Sequence, residues 1–217
     1  APAQPGAPAQ PGAVERSRWA GWLLVARSPL LRAAAVGLAL SHAVMVAVMV
    51  MTPIHMDHGH ATLEIIGLVI SIHVLGMFAL SPLVGLLVDR IGPVLVLGAG
   101  GLVLLLSLAL AGTSVAGHSA RLTIGLALLG VGWSLAQIAA STLVTAATTP
   151  ATRPLVQGAT DVLTFSTAAI GGAVAGVVVG GPGYAALNAL AALFAAAVVG
   201  SAVAARRAGR VRAPIAR

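Results

Sequence analysis

The chain contains no cysteine and no lysine, and charged residues make up only 8% of its 217 positions. The absence of cysteine excludes disulfides, thiolate zinc sites and a cysteine nucleophile together. Hydrophobic residues make up 59% of the chain, and the mean hydropathy is +1.02. Soluble domains do not have this composition, so it indicates a membrane protein.

Arginine supplies all 12 basic residues, and against 5 acidic residues they give a formal charge of +7. In a soluble protein this excess would favour a nucleic-acid partner, whereas in a membrane protein it indicates positive charge kept on the cytoplasmic face. The sequence also lacks a combined nucleophile, base and orienting acid, and no glycine-rich phosphate loop precedes a helix. We therefore expect the lipid bilayer as a partner, no nucleic acid, no cofactor and no enzymatic activity.

Six hydrophobic segments, each near the ~20 residues that a bilayer core requires, fill most of the chain and predict an all-α membrane protein. Breakers such as Pro53 and the Gly/Pro segment 180–183 separate them. The predicted spans cover residues 33–52, 63–88, 93–111, 122–147, 155–180 and 184–205. The predicted organisation is a Pro/Ala/Gln linker at 1–13, a basic amphipathic interfacial segment at 14–32, a six-helix transmembrane bundle at 33–205 and a basic tail at 206–217.

The distribution of arginine predicts the orientation of the bundle. An even number of spans places both chain ends on one side, and only Arg121 falls on the opposite side. Because short cytoplasmic segments carry the excess of positive charge, both termini are predicted to be cytoplasmic. The expected location is the cell inner (plasma) membrane, crossed several times.

Two pairs of soft metal ligands lie inside the first two spans, Met45 with Met49 and His73 with Met77. Each pair has i, i+4 spacing, which on a helix places both side chains on one face, roughly 6 Å apart along the axis. Thioethers and imidazole suit Cu(I) better than Mg, Ca or Mn, which prefer oxygen ligands. The alternative is packing, because methionine often fills gaps in cores and an intramembrane histidine is often satisfied by a backbone carbonyl.

Weaker candidates flank these pairs. His42 lies one turn before the first methionine and is interpreted as a third ligand, a proton carrier or a packed core residue. Asp161, just inside the fifth span, is costly there unless it is paired, hydrated or functional, so it is a candidate for proton coupling or for a helix contact. The loop after the first span contains His55, His58 and His60. These histidines could capture Cu or Zn, and the alternative is a solvated polar loop without a metal role.

The turn between the second and third spans reads Gly-Leu-Leu-Val-Asp-Arg-Ile-Gly from Gly85 to Gly92. Asp89, expected near a helix N-terminus, gains dipole stabilisation there, and Arg90 can pair with a carboxylate or a headgroup, so the turn can act as an electrostatic latch. This segment resembles motif A of the major facilitator superfamily. The matching residues are Gly85, Leu87, Asp89, Arg90 and Gly92, and the basic residues that usually follow are absent.

Two further segments, residues 129–134 and 156–161, are similar to stretches common in bacterial members of that superfamily. The resemblance runs from about residue 27 to residue 205. It implies half of a major facilitator fold, in which the six spans are helices seven to twelve of a twelve-helix transporter. It also implies that the linker belongs to the central loop and that the N-terminal six-helix half is a partner.

Within that superfamily the Met45/Met49 and His73/Met77 pairs resemble the paired motifs of the CcoA-like copper importers. The resemblance implies copper uptake by alternating access, with a transported Cu ion as substrate. Two alternatives remain open. One is a proton-coupled permease or efflux antiporter for a small organic solute, riboflavin-like or drug-like, and the other is a non-transporting membrane half-module that needs a partner.

Overall fold

The computed structural model describes the backbone of residues 11–117 and 119–212, and the side chains of residues 19–117 and 119–209. Within these ranges the protein is all-α, as predicted, and has no strand. Its helices are α1 (Pro11–Arg27), α2 (Pro29–Asp57), α3 (Leu63–Phe78), α4 (Ser81–Ile91), α5 (Pro93–Gly112), α6 (Ala120–Ala146), α7 (Arg153–Gly180) and α8 (Tyr184–Arg212). Most of the predicted linker, residues 1–10, and the end of the predicted tail, residues 213–217, lie outside the described part.

Six segments of the described chain are long and apolar enough to cross a membrane, which agrees with the predicted number of spans. They are Pro29–Asp57, Leu63–Ile91, Pro93–Gly112, Ala120–Ala146, Arg153–Gly180 and Tyr184–Gly209. We call the end of the bundle where α2 begins the α1 end, and the opposite end, which carries the connections 58–62 and 113–119, the loop end.

The first span is longer than predicted, because Pro53 does not end it. Helix α2 is capped at Ser28, whose hydroxyl accepts the backbone N–H of Leu31 at 3.4 Å, and it continues to Asp57. A proline removes one backbone donor, but in apolar surroundings the other backbone groups still need partners, and only the helix supplies them. The residues His55 and Asp57, predicted to lie in a loop, therefore belong to the last helical turn.

The second span is broken, which the sequence interpretation did not include. Helix α3 ends at Phe78 and α4 begins at Ser81, with Pro82 in its first turn. Pro82 has no backbone N–H to donate to the helical hydrogen bonds, and its ring clashes with the carbonyl group one turn earlier. The Ser81 hydroxyl donates to the carbonyl of Met77 at 3.2 Å, which satisfies a group near the break.

The helices pack around α2, which contacts α6, α7 and α8, while α5 contacts α6 and α8. Helix α3 packs on α6, and α1 lies against α7. The spans formed by α3–α4 and by α7 are the least buried. They leave an apolar surface whose exposed side chains include Leu68, Leu75, Phe78, Val162 and Phe165.

Helices α3 and α6 approach closely where two glycines face each other's backbones. A Cβ on Gly130 would overlap the carbonyl oxygen of His73, and a Cβ on Gly76 would lie 2.6 Å from the carbonyl oxygen of Ala127. Both distances are shorter than a side chain tolerates, so glycine is required at this crossing. The crossing fixes the turn of α3 that carries His73 and Met77 against α6.

Candidate functional site

His73 is fully buried, and its Nδ1 lies 2.9 Å from the carbonyl oxygen of Leu126 on α6. A carbonyl only accepts hydrogen bonds, so Nδ1 carries a proton and the lone pair of the neutral ring is on Nε2. That Nε2 is buried and has no hydrogen-bond partner among the described atoms. Metal-binding histidines have the same arrangement, with one ring nitrogen donating to a carbonyl and the other directed at the metal.

The predicted methionine ligands lie close to the same layer of the bundle. Met77 is one turn from His73 and 9% exposed, and Met45 is 6% exposed. Both belong to one buried apolar cluster, and Met49 packs against its edge. Helices α2 and α3 touch only slightly, so Met45 and Met77 share this cluster without extensive packing of one helix on the other. Among the described residues no three His, Asp or Glu side chains are grouped as metal ligands, so a site here depends on methionine sulfur.

His42 has a different environment from the one expected of a third ligand. The indole Nε1 of Trp133 donates to its Nδ1 at 2.9 Å. Because an indole N–H only donates, the lone pair of His42 is on Nδ1 and is already occupied. In this conformation His42 positions Trp133.

An aromatic cluster surrounds this hydrogen bond and joins four helices. We define it as His42 of α2, Phe78 of α3, Trp133 of α6 and Phe165 of α7. The ring centroids of Trp133 lie 5.9 Å from His42 and 5.8 Å from Phe78, and those of His42 and Phe165 lie 5.6 Å apart. Sequence reasoning missed Phe78 and Phe165, because no local pattern relates residues that only the packing of four helices brings together.

A cavity of about 690 Å³ opens between α6 and α7, and Trp133 forms part of its wall. The Gln137 amide nitrogen donates to the Leu38 carbonyl at 2.9 Å and to the Ser41 hydroxyl at 3.2 Å. The other polar residues of the wall are Ser141, Thr142, Thr145, Gln157, Thr160 and Asp161. Asp161 is exposed and lines the cavity, and both of its expected roles, proton coupling and a helix contact, stay predictions.

A profile of the Major Facilitator Superfamily matches residues 5–215. The chain belongs to the major facilitator superfamily. This family consists of membrane transporters and not of enzymes, which confirms the predicted fold class and the prediction that the chain is not an enzyme.

Three relatives with assigned names resemble the chain. It is 40% identical to the uncharacterized MFS-type transporter YdeG of Bacillus subtilis over 149 residues, which are 69% of this chain and 35% of that protein. It is also 40% identical to the uncharacterized MFS-type transporter YddS of Bacillus subtilis over 155 residues, 71% of this chain and 35% of the relative. The riboflavin transporter RfnT of Brucella anthropi is 37% identical over 151 residues, 68% of this chain and 37% of the relative. The chain thus spans little more than a third of the length of each relative.

The superfamily motif lies at the α1 end, where α4 meets α5. Gly92 joins the two helices with a φ of 87°, a conformation that favours glycine. Asp89 and Arg90 are exposed on the last turn of α4. Asp89 lies at the C-terminal end of α4, where the dipole of that helix is negative, and three residues before Gly92, the N-cap of α5, so its stabilisation by a helix N-terminus stays a prediction. A latch therefore needs a partner other than α4, and it stays a prediction.

The histidines of the first connection are not gathered at one point. The ring of His55 stacks on Tyr184 of α8, with centroids 4.1 Å apart, and the Tyr184 hydroxyl lies 2.8 Å from the hydroxyl of Thr52. His58 and His60 are exposed. Metal capture by this segment stays a prediction, and the packing of His55 ties α2 to α8 at the loop end.

Proposed function

We propose that this chain is the C-terminal half, helices seven to twelve, of a twelve-helix transporter that takes up copper by alternating access. The observation that carries the proposal is the geometry of His73. Its Nδ1–H is bound to a carbonyl at 2.9 Å, and its Nε2 is buried without a partner one turn from the Met77 thioether. An unpaired buried nitrogen costs free energy, of order 1–3 kcal/mol, unless a ligand uses it.

The proposed path runs from the loop end to the α1 end. Met45 and Met49 lie about 4 Å and about 10 Å beyond His42 along α2, on the side of the loop end. His73 lies about 7 Å beyond Phe78 on the same side. The polar cavity lies on the other side of the aromatic cluster and begins at Trp133. Copper would therefore meet the soft ligands first and the cavity second.

The ligand chemistry suits a carrier of Cu(I). Methionine and neutral histidine bring no charge, so a site of Met45, Met49, His73 and Met77 carries the single charge of the ion itself. Such ligands bind a soft cation but leave its charge uncompensated, which favours release. Rocking of this half against its partner half would then expose the site to each side in turn.

The orientation of the path follows from charge. Arg27, Arg32, Arg90, Arg153 and Arg206 lie near the α1 end of the described bundle, whereas Arg121 lies at the loop end. By the positive-inside rule the α1 end faces the cytoplasm, and the cavity opens toward it. We therefore propose uptake, with copper arriving at the loop end.

Copper accumulation by cells that express the complete transporter tests the proposal. His73→Ala and Met77→Leu should each reduce mass-spectrometric copper accumulation to the level of cells without the transporter. Met77→Leu keeps the side-chain volume nearly constant and removes only the sulfur. Met51→Leu is the matched control. Met51 is 8% exposed, about as buried as Met77, but it lies on a different face of α2 from Met45 and Met49. Unchanged accumulation in both His73→Ala and Met77→Leu would exclude this site.

A second candidate is transport of a small organic solute. It is favoured by the cavity, which at about 690 Å³ is large for a bare ion and carries amide, hydroxyl and carboxylate groups. It is also favoured by the similarity to RfnT, a riboflavin transporter. In this case Asp161 is the proposed proton-coupling residue. Uptake of radiolabelled riboflavin, insensitive to Met77→Leu and lost in Asp161→Asn, would support this candidate over copper.

A further inference from the structure

We propose that the aromatic cluster and the adjoining cavity form a binding site for a planar heteroaromatic ligand. This site is separate from the proposed copper ligands His73 and Met77. The inference rests on the proposed function of the complete protein as a carrier, but it does not require that copper is the substrate. It assigns a position, a chemical class and a set of contacts to the organic ligand.

The first support is the concentration of aromatic rings at one point of a chain that has very few. Only three phenylalanines, three tryptophans and one tyrosine occur among 217 residues. The rings of Trp133 and Phe165 contact His42, and Phe78 contacts Trp133. Phe78 is 58% exposed and Phe165 is 63% exposed, so these rings do not form a core. Trp133, which contacts Phe78, is also part of the cavity wall, so the aromatic cluster and the cavity adjoin at this side chain.

The second support is the way the indole is held. Trp133 donates its N–H to Nδ1 of His42, which ties the edge of the ring to α2. The ring of Phe78 meets it at 74° and that of His42 at 44°, so neither lies parallel on the indole. An indole fixed by its edge, with no described ring parallel to it, can serve as a stacking platform for a flat ligand. Stacking of a base on an aromatic side chain contributes about 1–3 kcal/mol.

The third support is the polar wall that continues from this platform. The hydrogen bonds of the Gln137 amide nitrogen to α2 direct its oxygen the other way, as an acceptor. Gln157 adds a second amide, and Thr142 adds a hydroxyl. A side-chain amide both donates and accepts hydrogen bonds, so it can pair with the polar atoms at the edge of a heterocycle in the plane of the ring.

Charge and size limit the class of ligand. Among the described residues of the cavity wall Asp161 alone is charged, so the site accepts neutral or cationic rings and disfavours anions. The volume of about 690 Å³ lies within the 300–1,000 Å³ typical of sites for small organic molecules. A neutral tricyclic ring such as that of riboflavin meets both limits, and so does a cationic acridine.

Fluorescence titration of the purified complete transporter in nanodiscs, with riboflavin and with the cationic dye proflavine as probes, tests the inference. Both probes should bind saturably. Trp133→Ala should weaken both by about tenfold or more, from the loss of stacking. Phe165→Ala should weaken both by severalfold, and because Phe165 is exposed, this second variant separates loss of binding from loss of the fold. Asp161→Asn should weaken proflavine only.

Phe194→Ala is the matched control, because Phe194 is 43% exposed on α8, away from the aromatic cluster. This variant should bind both probes as the unchanged protein does. Absence of saturable binding, or equal affinity in Trp133→Ala and Phe194→Ala, would overturn the proposed site. The titration measures binding without transport, so its result is independent of the copper and riboflavin uptake experiments. Failure of the proposed function and failure of this site can therefore be distinguished.

Discussion

At the scale of single residues, the tautomers of two histidines separate two roles. His73 donates through Nδ1 to a backbone carbonyl, which leaves Nε2 with its lone pair in the apolar interior. His42 accepts through Nδ1 from Trp133, so its lone pair is already used. The i, i+4 spacing of His73 and Met77 could be predicted from the sequence, but neither tautomer could, because each depends on a residue more than 50 positions away.

Gly130→Ala should destabilise the protein, because the added methyl group meets the backbone of α3 at His73. Overpacking of this kind costs about 1–3 kcal/mol. The melting temperature of the complete transporter in detergent should fall by several degrees. Gly67→Ala is the matched control on α3, since no atom lies within 4 Å of its added Cβ. Equal melting temperatures for the two variants would contradict the close crossing of α3 and α6.

At the scale of elements, the number and type of spans could be predicted from hydropathy, while their internal structure could not. Pro53 and Pro82 both lack a backbone N–H, yet α2 continues past Pro53 while the second span breaks before Ser81. The outcome differs because Pro53 lies near the end of its helix, whereas Pro82 lies inside a span. Local sequence does not report that difference, since it depends on which neighbours satisfy the freed backbone groups.

The turn between α4 and α5 gives a prediction about transport rate. Asp89→Asn keeps the size of an exposed side chain and removes its charge, so the fold should not change. If the motif balances two conformations of the transporter, the substitution shifts that balance without touching the site. Turnover should fall severalfold while the affinity for copper or solute stays the same. Equal losses of affinity and turnover, or loss of neither, would argue against a latch.

At the scale of the whole molecule, the uncovered surface and the family membership both support a second group of helices packed on this bundle. The spans α3–α4 and α7 are the least buried, and their exposed side chains include Phe78 and Phe165. The chain also spans little more than a third of the length of its relatives. Both facts support the proposal that a second group of helices covers this surface in the complete transporter. The surface could not be located from the sequence, because apolar residues occur on every side of each span.

Residues 1–217 alone should therefore insert into membranes without transporting. In liposomes the chain should show no uptake of copper or riboflavin, because the path lacks one wall. Co-expression with the proposed N-terminal half should restore uptake. Robust transport by the isolated chain would instead favour a dimer of six-helix subunits.

X-ray absorption at the copper edge of the Cu(I)-loaded complete transporter tests the central claim most directly. The account predicts a first shell that contains both sulfur and nitrogen, the only assignment consistent with Met77 and His73 as ligands. Met77→Leu should remove part of the sulfur contribution, His73→Ala should remove the nitrogen contribution, and Met51→Leu should leave the spectrum unchanged. A shell without sulfur, or one that is identical in all three variants, would contradict the account.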